Sequence, residues 1–177
     1  MKNVSNSLIA MYSRCGEMEK AYEVFKGMDN KSVVSWSAMI SGLASNGFGR
    51  EAIEAFGDMQ KTGVMPDEQT FTGVLSACSR SGLLDEGRVF FNSMSKDFGI
   101  TPNIHHYGCV VDLMGRAGLL EEAYNLILSM SIKPDAALWR TLLGACKVHG
   151  HAELGERVVG QVIELKAWKA GDYLLLL

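Results

Sequence analysis

Metal ligands and nucleophiles come first, because their spacing limits what reaction a chain can run. The clustered histidines are His105-His106 and His149-Gly150-His151, and four cysteines stand at Cys15, Cys78, Cys109 and Cys146. No two cysteines make a C-x-x-C pair, so neither a zinc site nor a disulfide framework is expected. Cys78 and Cys146 fall at apolar positions, and the cysteines are expected to act as reduced, buried small hydrophobes. The first histidine pair opens a sequence unit and the second flanks a helix-ending glycine, so both are expected to be structural. No G-x-x-x-x-G-K-[ST] phosphate loop and no G-x-S-x-G elbow occurs, and Gly47-Phe48-Gly49 reads as a helix break. Neither catalysis nor a cofactor is expected.

The elements behind these residues declare themselves by repetition. Gly16, Gly47, Gly82, Gly118 and Gly150 are spaced 31, 35, 36 and 32 residues apart. Met28, Met59, Met94 and Met130 keep the first three of those spacings, while Trp36, Phe71, Tyr107 and Trp139 keep the last three. Independent columns that share one irregular period identify a helical repeat array. Units are counted from Lys2, Val33, Glu68, Ile104 and Ala136. Columns 4, 7, 8 and 11 then read Trp36, Met39, Ile40, Leu43 in the second unit and Trp139, Leu142, Leu143, Cys146 in the fifth. At about 100° per residue these lie on one side of a helix. Columns 20, 23, 24 and 27, as in Ala52, Ala55, Phe56, Met59, give the i, i+3, i+4, i+7 stripe of a second helix. The small residue at column 20 permits close helix approach, and the methionine fills gaps in the core. Glycine between the helices suits a left-handed cap. Pro66, Pro102 and Pro134 are expected to stop each second helix. The fold class is all-α, an α-solenoid of helix-turn-helix repeats.

Composition agrees with a packed array. Hydrophobic residues make up 47% of the 177 and aromatic residues 8%, ample for a core and against disorder. A net charge of −3 argues against a non-specific polyanion binder but leaves room for a local basic stripe. No apolar run approaches the roughly 20 residues of a membrane span, and no membrane partner is expected. The start, MKNVSNSLIAMYSRCG, already reads as repeat and resembles neither a transit peptide nor a signal peptide. A lost leader or a fragment of a longer array is the expectation. After the last unit, Gly171-Asp172-Tyr173 and Leu174 to Leu177 look like the start of a further helix that packs on the preceding one.

The units resemble the pentatricopeptide repeat family in length and in columns. Lys2–Ser32 (NSLIAMYSRCG) is similar to its short type, Val33–Asp67 (VVSWSAMISG, EAIEAFGDMQKTGVMPD) to its standard type, and Glu68–Asn103 (TFTGVLSACSRSGLLDEG) to its long type. Ile104–Asp135 (HHYGCVVDLMGRAGLLEEA) is similar to a short repeat near the end of such arrays, and Ala136 to about Lys169 (ALWRTLLGACKVHG) to an E-type extension. The resemblance implies a right-handed superhelix like that of tetratricopeptide repeats. It also implies the plant subfamily with alternating repeat lengths, whose members specify cytidine-to-uridine editing sites in RNA of the mitochondrion or chloroplast. The zinc deaminase signature pairs H-x-E with P-C-x-x-C; His151-Ala152-Glu153 matches the first half by itself, but no P-C-x-x-C occurs, so the full signature is absent from the sequence. If editing is the process, a DYW-type deaminase or other editing factor must act in trans, with the E-type extension as recruiting surface.

Columns 2, 5, 9 and 13 of the first helix fall within about 80° of one another and are expected to form one exposed stripe on the concave surface. Repeats of this class read one base per unit with two or three side chains. By resemblance the base-reading pairs are Asn6 with Ser32, Ser37 with Asp67, Thr72 with Asn103 and, more weakly, Gly108 with Asp135. The family code then assigns a pyrimidine, guanine and adenine to the first three pairs. The implied partner is single-stranded organelle RNA with the core 5′-(C/U)-G-A, and Gly108 leaves its unit without a reader. Val34 matches the aliphatic residue that packs on a base. Arg14, Arg80 and Arg116, with Lys147 one position earlier in its unit, are candidates for phosphate contact.

Plainer roles stand beside these. Asp67, Asn103 and Asp135 each precede a helix and could be N-caps, the short polar residues could be ordinary surface, and the arginines solvated charge. A protein-binding solenoid of tetratricopeptide type is the competing class, but its regular period of about 34 residues and its W-x-x-L-G-x-x-Y signature are not found. A truncated array without independent function is the third reading.

Overall fold

The computed structural model describes residues 2–165 and shows ten α-helices and no strand among them. They run in pairs: α1 (Lys2–Arg14) with α2 (Met18–Lys26), α3 (Val33–Ser45) with α4 (Gly49–Lys61), and α5 (Glu68–Ser81) with α6 (Leu84–Lys96). Next come α7 (Ile104–Arg116) with α8 (Leu120–Leu128), and α9 (Ala136–Val148) with α10 (Ala152–Glu164). No helix among the described residues is long and apolar enough to cross a membrane. The tail expected to begin another helix, Gly171 to Leu177, lies outside the described residues.

The described residues form two compact units, divided between Thr101 and Pro102. In the first, α1, α3 and α5 lie side by side, α2 packs on α1 and α3, α4 on α3 and α5, and α6 on α5. In the second, α7 lies beside α9, α8 packs on both, and α10 on α9. Every first helix thus has a face covered by second helices and a face left over.

The apolar columns explain this arrangement. Trp36, Met39 and Ile40, then Phe71, Val74, Leu75 and Cys78, then Trp139, Leu142, Leu143 and Cys146 are all buried. Aromatic rings lock one repeat to the next. Phe25 meets Trp36 edge-on at 4.8 Å, Phe56 meets Phe71 at 5.4 Å, and Tyr124 meets Trp139 at 5.4 Å. Each such pair contributes about 0.5–1.5 kcal/mol beyond its buried area. Between neighbouring first helices the approach is close enough to require small residues. A Cβ on Gly42 would overlap Ser13 Oγ, and one on Gly115 would lie 2.8 Å from Ala145 Cβ.

Two expectations need correction. The prolines do not stop the second helices: α4 ends at Lys61 and α6 at Lys96, well before Pro66 and Pro102. Gly63 (φ 77) and Gly99 (φ 65) turn the chain first, because glycine alone enters the left-handed region without steric cost. The cysteines also differ from one another. Cys78 and Cys146 are buried while Cys15 is exposed. Burial, aided by the Glu121 carboxylate, pushes the Cys146 thiol up and keeps it protonated.

Candidate nucleic-acid interface

The face of the first helices left uncovered by second helices carries the candidate site. In the first unit a groove of about 380 Å³ runs between α1, α3 and the start of α5. Val34, Ser37, Asp67, Gln69 and Arg14 line it, with Ser13 and Ser41 among the small residues between them. The structure therefore brings column 2, column 5, the final residue and a column 13 arginine to one place. Val34 is 56% exposed, an aliphatic wall open to solvent.

Ser37 departs from the expected exposed stripe, being only 4% exposed. Its hydroxyl lies 2.7 Å from Thr70 Oγ1 and 3.4 Å from Asp67 Oδ1, so it sits on the groove floor, held against α5. Asp67 is fixed from the other side. Its Oδ1 accepts from the Thr70 backbone N–H at 2.8 Å and from the Thr70 hydroxyl at 2.8 Å, while the Asp67 N–H donates to Thr70 Oγ1 at 3.2 Å. This is a reciprocal capping box at the start of α5.

The same cap recurs with different chemistry. Ser32 Oγ accepts from Ser35 N at 3.4 Å, and Asn103 Oδ1 accepts from His105 N at 3.0 Å and His106 N at 3.3 Å. Asp135 Oδ1 accepts from Leu138 N at 2.8 Å. All four final residues are N-caps, and any base reading must use what capping leaves over. Asn6 Oδ1 is buried and accepts no hydrogen bond. Thr72 belongs to the first compact unit and Asn103 to the second; the Thr72 hydroxyl donates to Glu68 O of its own helix at 3.0 Å. Gly108 has open space where a Cβ would be, so packing does not require glycine there.

The cations divide into two kinds. Arg14 and Arg80 are exposed and make no ion pair among the described residues. Arg116 Nε instead donates to Asp112 Oδ2 at 2.9 Å, one helical turn away. Arg116 and Asp112 line a second groove of about 580 Å³ between α7 and α9, together with Arg140 and Thr141. Lys147 is exposed near the end of α9. Both histidine clusters take capping work: His106 Nδ1 accepts from Asn103 N at 3.0 Å, and His151 Nδ1 from Leu154 N at 3.3 Å.

Comparison with known proteins decides the family. The PPR repeat family model matches residues 31–80, and the PPR repeat model matches residues 4–33, 69–97 and 105–133. The chain belongs to the pentatricopeptide repeat family. A pentatricopeptide repeat-containing protein of Arabidopsis thaliana is 66% identical over 99% of this chain and 30% of its own length. A second from the same plant is 52% identical over 94% and 27%. A third, named as chloroplastic, is 44% identical over 99% and 25%. The chain thus spans about a quarter to a third of the curated relatives it matches. Among solved structures, the maize pentatricopeptide repeat protein PPR10 superposes with a TM-score of 0.81 at 26% identity, over 97% of this chain and 26% of that one. PPR10 in complex with an 18-nt psaJ RNA element gives 0.86 at 21% identity, over 99% and 27%. The PPR domain of Arabidopsis protein-only RNase P 1, solved in complex with tRNA, gives 0.75 at 18% identity, over 95% and 92%.

Within this pentatricopeptide array the sequence reading overlooked column 3. Ser35, Thr70 and His106 are fully buried polar residues there, and each accepts a hydrogen bond from the backbone N–H of the final residue of the preceding repeat. The available signal was Ser-x-x-Ser, Asp-x-x-Thr and Asn-x-x-His at the repeat junctions. It went unread because the usual box places Glu or Gln at that position.

Proposed function

We propose that this chain binds single-stranded RNA along the open face of its first helices, one base per repeat. In this reading it is the site-recognition module for C-to-U editing, or related RNA processing, in the mitochondrion or chloroplast. The repeats are assigned to the subfamily of alternating lengths and Ala136 onward to an E-type extension. Catalysis lies elsewhere, in a DYW-type deaminase or other editing factor supplied in trans. The observation that carries the reading is the α1–α3–α5 groove. There an exposed aliphatic side chain (Val34), two fixed oxygen acceptors (Ser37, Asp67) and an arginine without an ion pair (Arg14) meet in about 380 Å³. An aliphatic wall suits a base face, acceptors suit a base edge, and a guanidinium suits a phosphate.

The pairs Asn6–Ser32, Ser37–Asp67 and Thr72–Asn103 read 5′-(C/U)-G-A, and Gly108–Asp135 reads weakly. Each base contact contributes about 1–3 kcal/mol, so three readers supply about 3–9 kcal/mol before ordering costs. A micromolar complex needs about 8 kcal/mol net, and a three-base site recurs about once per 64 nucleotides. Binding by this stretch alone is therefore weak and poorly selective, and a longer array would do the addressing. The test is fluorescence anisotropy with short RNAs carrying CGA against shuffled versions. Asn6→Ala and Ser37→Ala should abolish the preference while a cooperative melting transition shows that both variants remain folded. A signal that ignores both substitutions would refute the reading and favour a protein-binding solenoid.

A further inference from the structure

We infer that Thr70, a residue outside the reader pair, sets the hydrogen-bond polarity of that pair and thereby selects guanine; the inference rests on the RNA-reading proposal above. It follows from counting protons around three oxygens. Thr70 Oγ1 lies 2.8 Å from Asp67 Oδ1 and 2.7 Å from Ser37 Oγ, but has one proton to give. A hydrogen bond to a carboxylate is about twice as strong as one between neutral groups, so that proton goes to Asp67. The short contact between Thr70 and Ser37 then needs the proton of Ser37. Thr70 Oγ1 accepts from Ser37 Oγ on one lone pair and from the Asp67 N–H, at 3.2 Å, on the other, which exhausts a hydroxyl.

Ser37 has now spent its only proton and offers the groove lone pairs alone. Asp67 Oδ1 is occupied by the Thr70 amide and hydroxyl, and its other carboxylate oxygen is also acceptor only. The pair therefore presents two acceptors and no donor. On the Watson–Crick edges of the four RNA bases, only guanine places two donors, N1–H and the N2 amino group, on adjacent atoms. Adenine and cytosine offer one amino donor beside a ring acceptor, and uracil one N–H between two carbonyls. Thr70 is buried completely and touches no base; it is a positioning residue acting through Ser37 and Asp67.

The closing experiment uses the 177-residue chain and RNAs that differ only at the middle base of 5′-C-N-A-3′, with melting temperature measured in parallel. Thr70→Val removes the hydroxyl at nearly constant volume, so the Ser37 proton loses its acceptor at 2.7 Å and keeps only the longer contact to Asp67 Oδ1 at 3.4 Å, which no longer fixes its direction. The preference for guanine over adenine should fall about tenfold, the discrimination of one base contact, mostly through weaker guanine binding. Thr70→Ser keeps the hydroxyl and should keep the preference, which also separates lost polarity from lost packing. Retained guanine preference in a folded Thr70→Val protein overturns the inference, and so does equal loss in Thr70→Ser. Should Ser37→Ala and Asp67→Asn leave RNA binding and base preference untouched, the reader assignment itself fails and the polarity argument falls with it. If those two variants lose or change preference while Thr70→Val does not, only the role of Thr70 is wrong.

Discussion

Two repeat junctions, one at the start of α5 and one at the start of α9, begin alike and end differently. At both, an aspartate caps the helix, with Oδ1 2.8 Å from the backbone N–H three residues on. At the first, that third residue is Thr70 and the facing column 5 residue is Ser37, and three oxygens close into one network. At the second, the third residue is Leu138 and column 5 is Gly108, so the cap of Asp135 stands alone. Capping a helix and presenting acceptors to a groove are thus separable duties of one side chain. The cap needs an acceptor and a backbone N–H; the network needs a column 3 hydroxyl and a column 5 side chain as well.

Removing each aspartate breaks the comparison most sharply. Asp135→Ala loses a cap and should cost about 1 kcal/mol. Asp67→Ala loses a cap and also strips the main acceptor from the buried Thr70 hydroxyl, which adds about 1–3 kcal/mol, for a total of about 2–4 kcal/mol. Urea denaturation followed by circular dichroism measures both, and equal costs would mean that the Ser37–Thr70–Asp67 network contributes nothing beyond the cap.

Changing the charge but not the cap isolates the reading duty. Asp67→Asn keeps an oxygen for the Thr70 N–H, which leaves the amide NH2 as the second group. A donor then stands where an acceptor stood, and preference should move from guanine toward adenine by about tenfold, or about 1.4 kcal/mol. Stability should change by less than about 1 kcal/mol, since Asn caps as well as Asp. RNA binding with the four middle-base variants and a melting curve decide it; unchanged preference would show that the groove-facing oxygen reads nothing.

The second junction can be tested by adding what it lacks. A Cβ on Gly108 meets open space, and serine is a better helix former than glycine by about 0.5 kcal/mol. Gly108→Ser should therefore raise the urea midpoint slightly. It should not create guanine selectivity, because Leu138 supplies no hydroxyl to orient the new side chain. Selectivity from Gly108→Ser alone would show that a column 3 partner is unnecessary.

The contrast between these junctions also marks what the sequence made legible. The helix pairs, their buried stripes and the left-handed glycines could be read off because each is a local, periodic signal: Gly47 and Gly82 end helices at φ 84 and 66. The family followed from the same columns. Burial of Ser37 could not be read, because it depends on Thr70, 33 residues away, and helical periodicity places column 5 on an open face. Column 3 was hidden because two hydroxyls, of Ser35 and Thr70, and one imidazole, of His106, do one task. The prolines misled because a strong local breaker is not the first one reached when Gly63 and Gly99 precede it. Whether the polar columns read bases is a property of a bound strand, and neither repetition nor packing encodes it.

The smallest expected effect concerns the arginines, and it extends the comparison from oxygens to charge. Arg14 lines the first groove without an ion pair, whereas Arg116 in the second is held by Asp112 at 2.9 Å. An exposed pair one turn apart contributes only about 0.3–0.5 kcal/mol, yet it partly neutralises the charge a phosphate would feel. Each phosphate neutralised on a single strand contributes about 0.7 to the slope of log K against log salt. Arg14→Gln should thus flatten that slope by about 0.7 without altering base preference. Arg116→Gln should flatten it by less, and Asp112→Asn should steepen it by freeing Arg116. Salt titrations of RNA binding separate the three variants. Identical slopes in Arg14→Gln and the parent chain would remove the guanidinium from the interface and leave the groove with acceptors alone, which a polyanion would not enter.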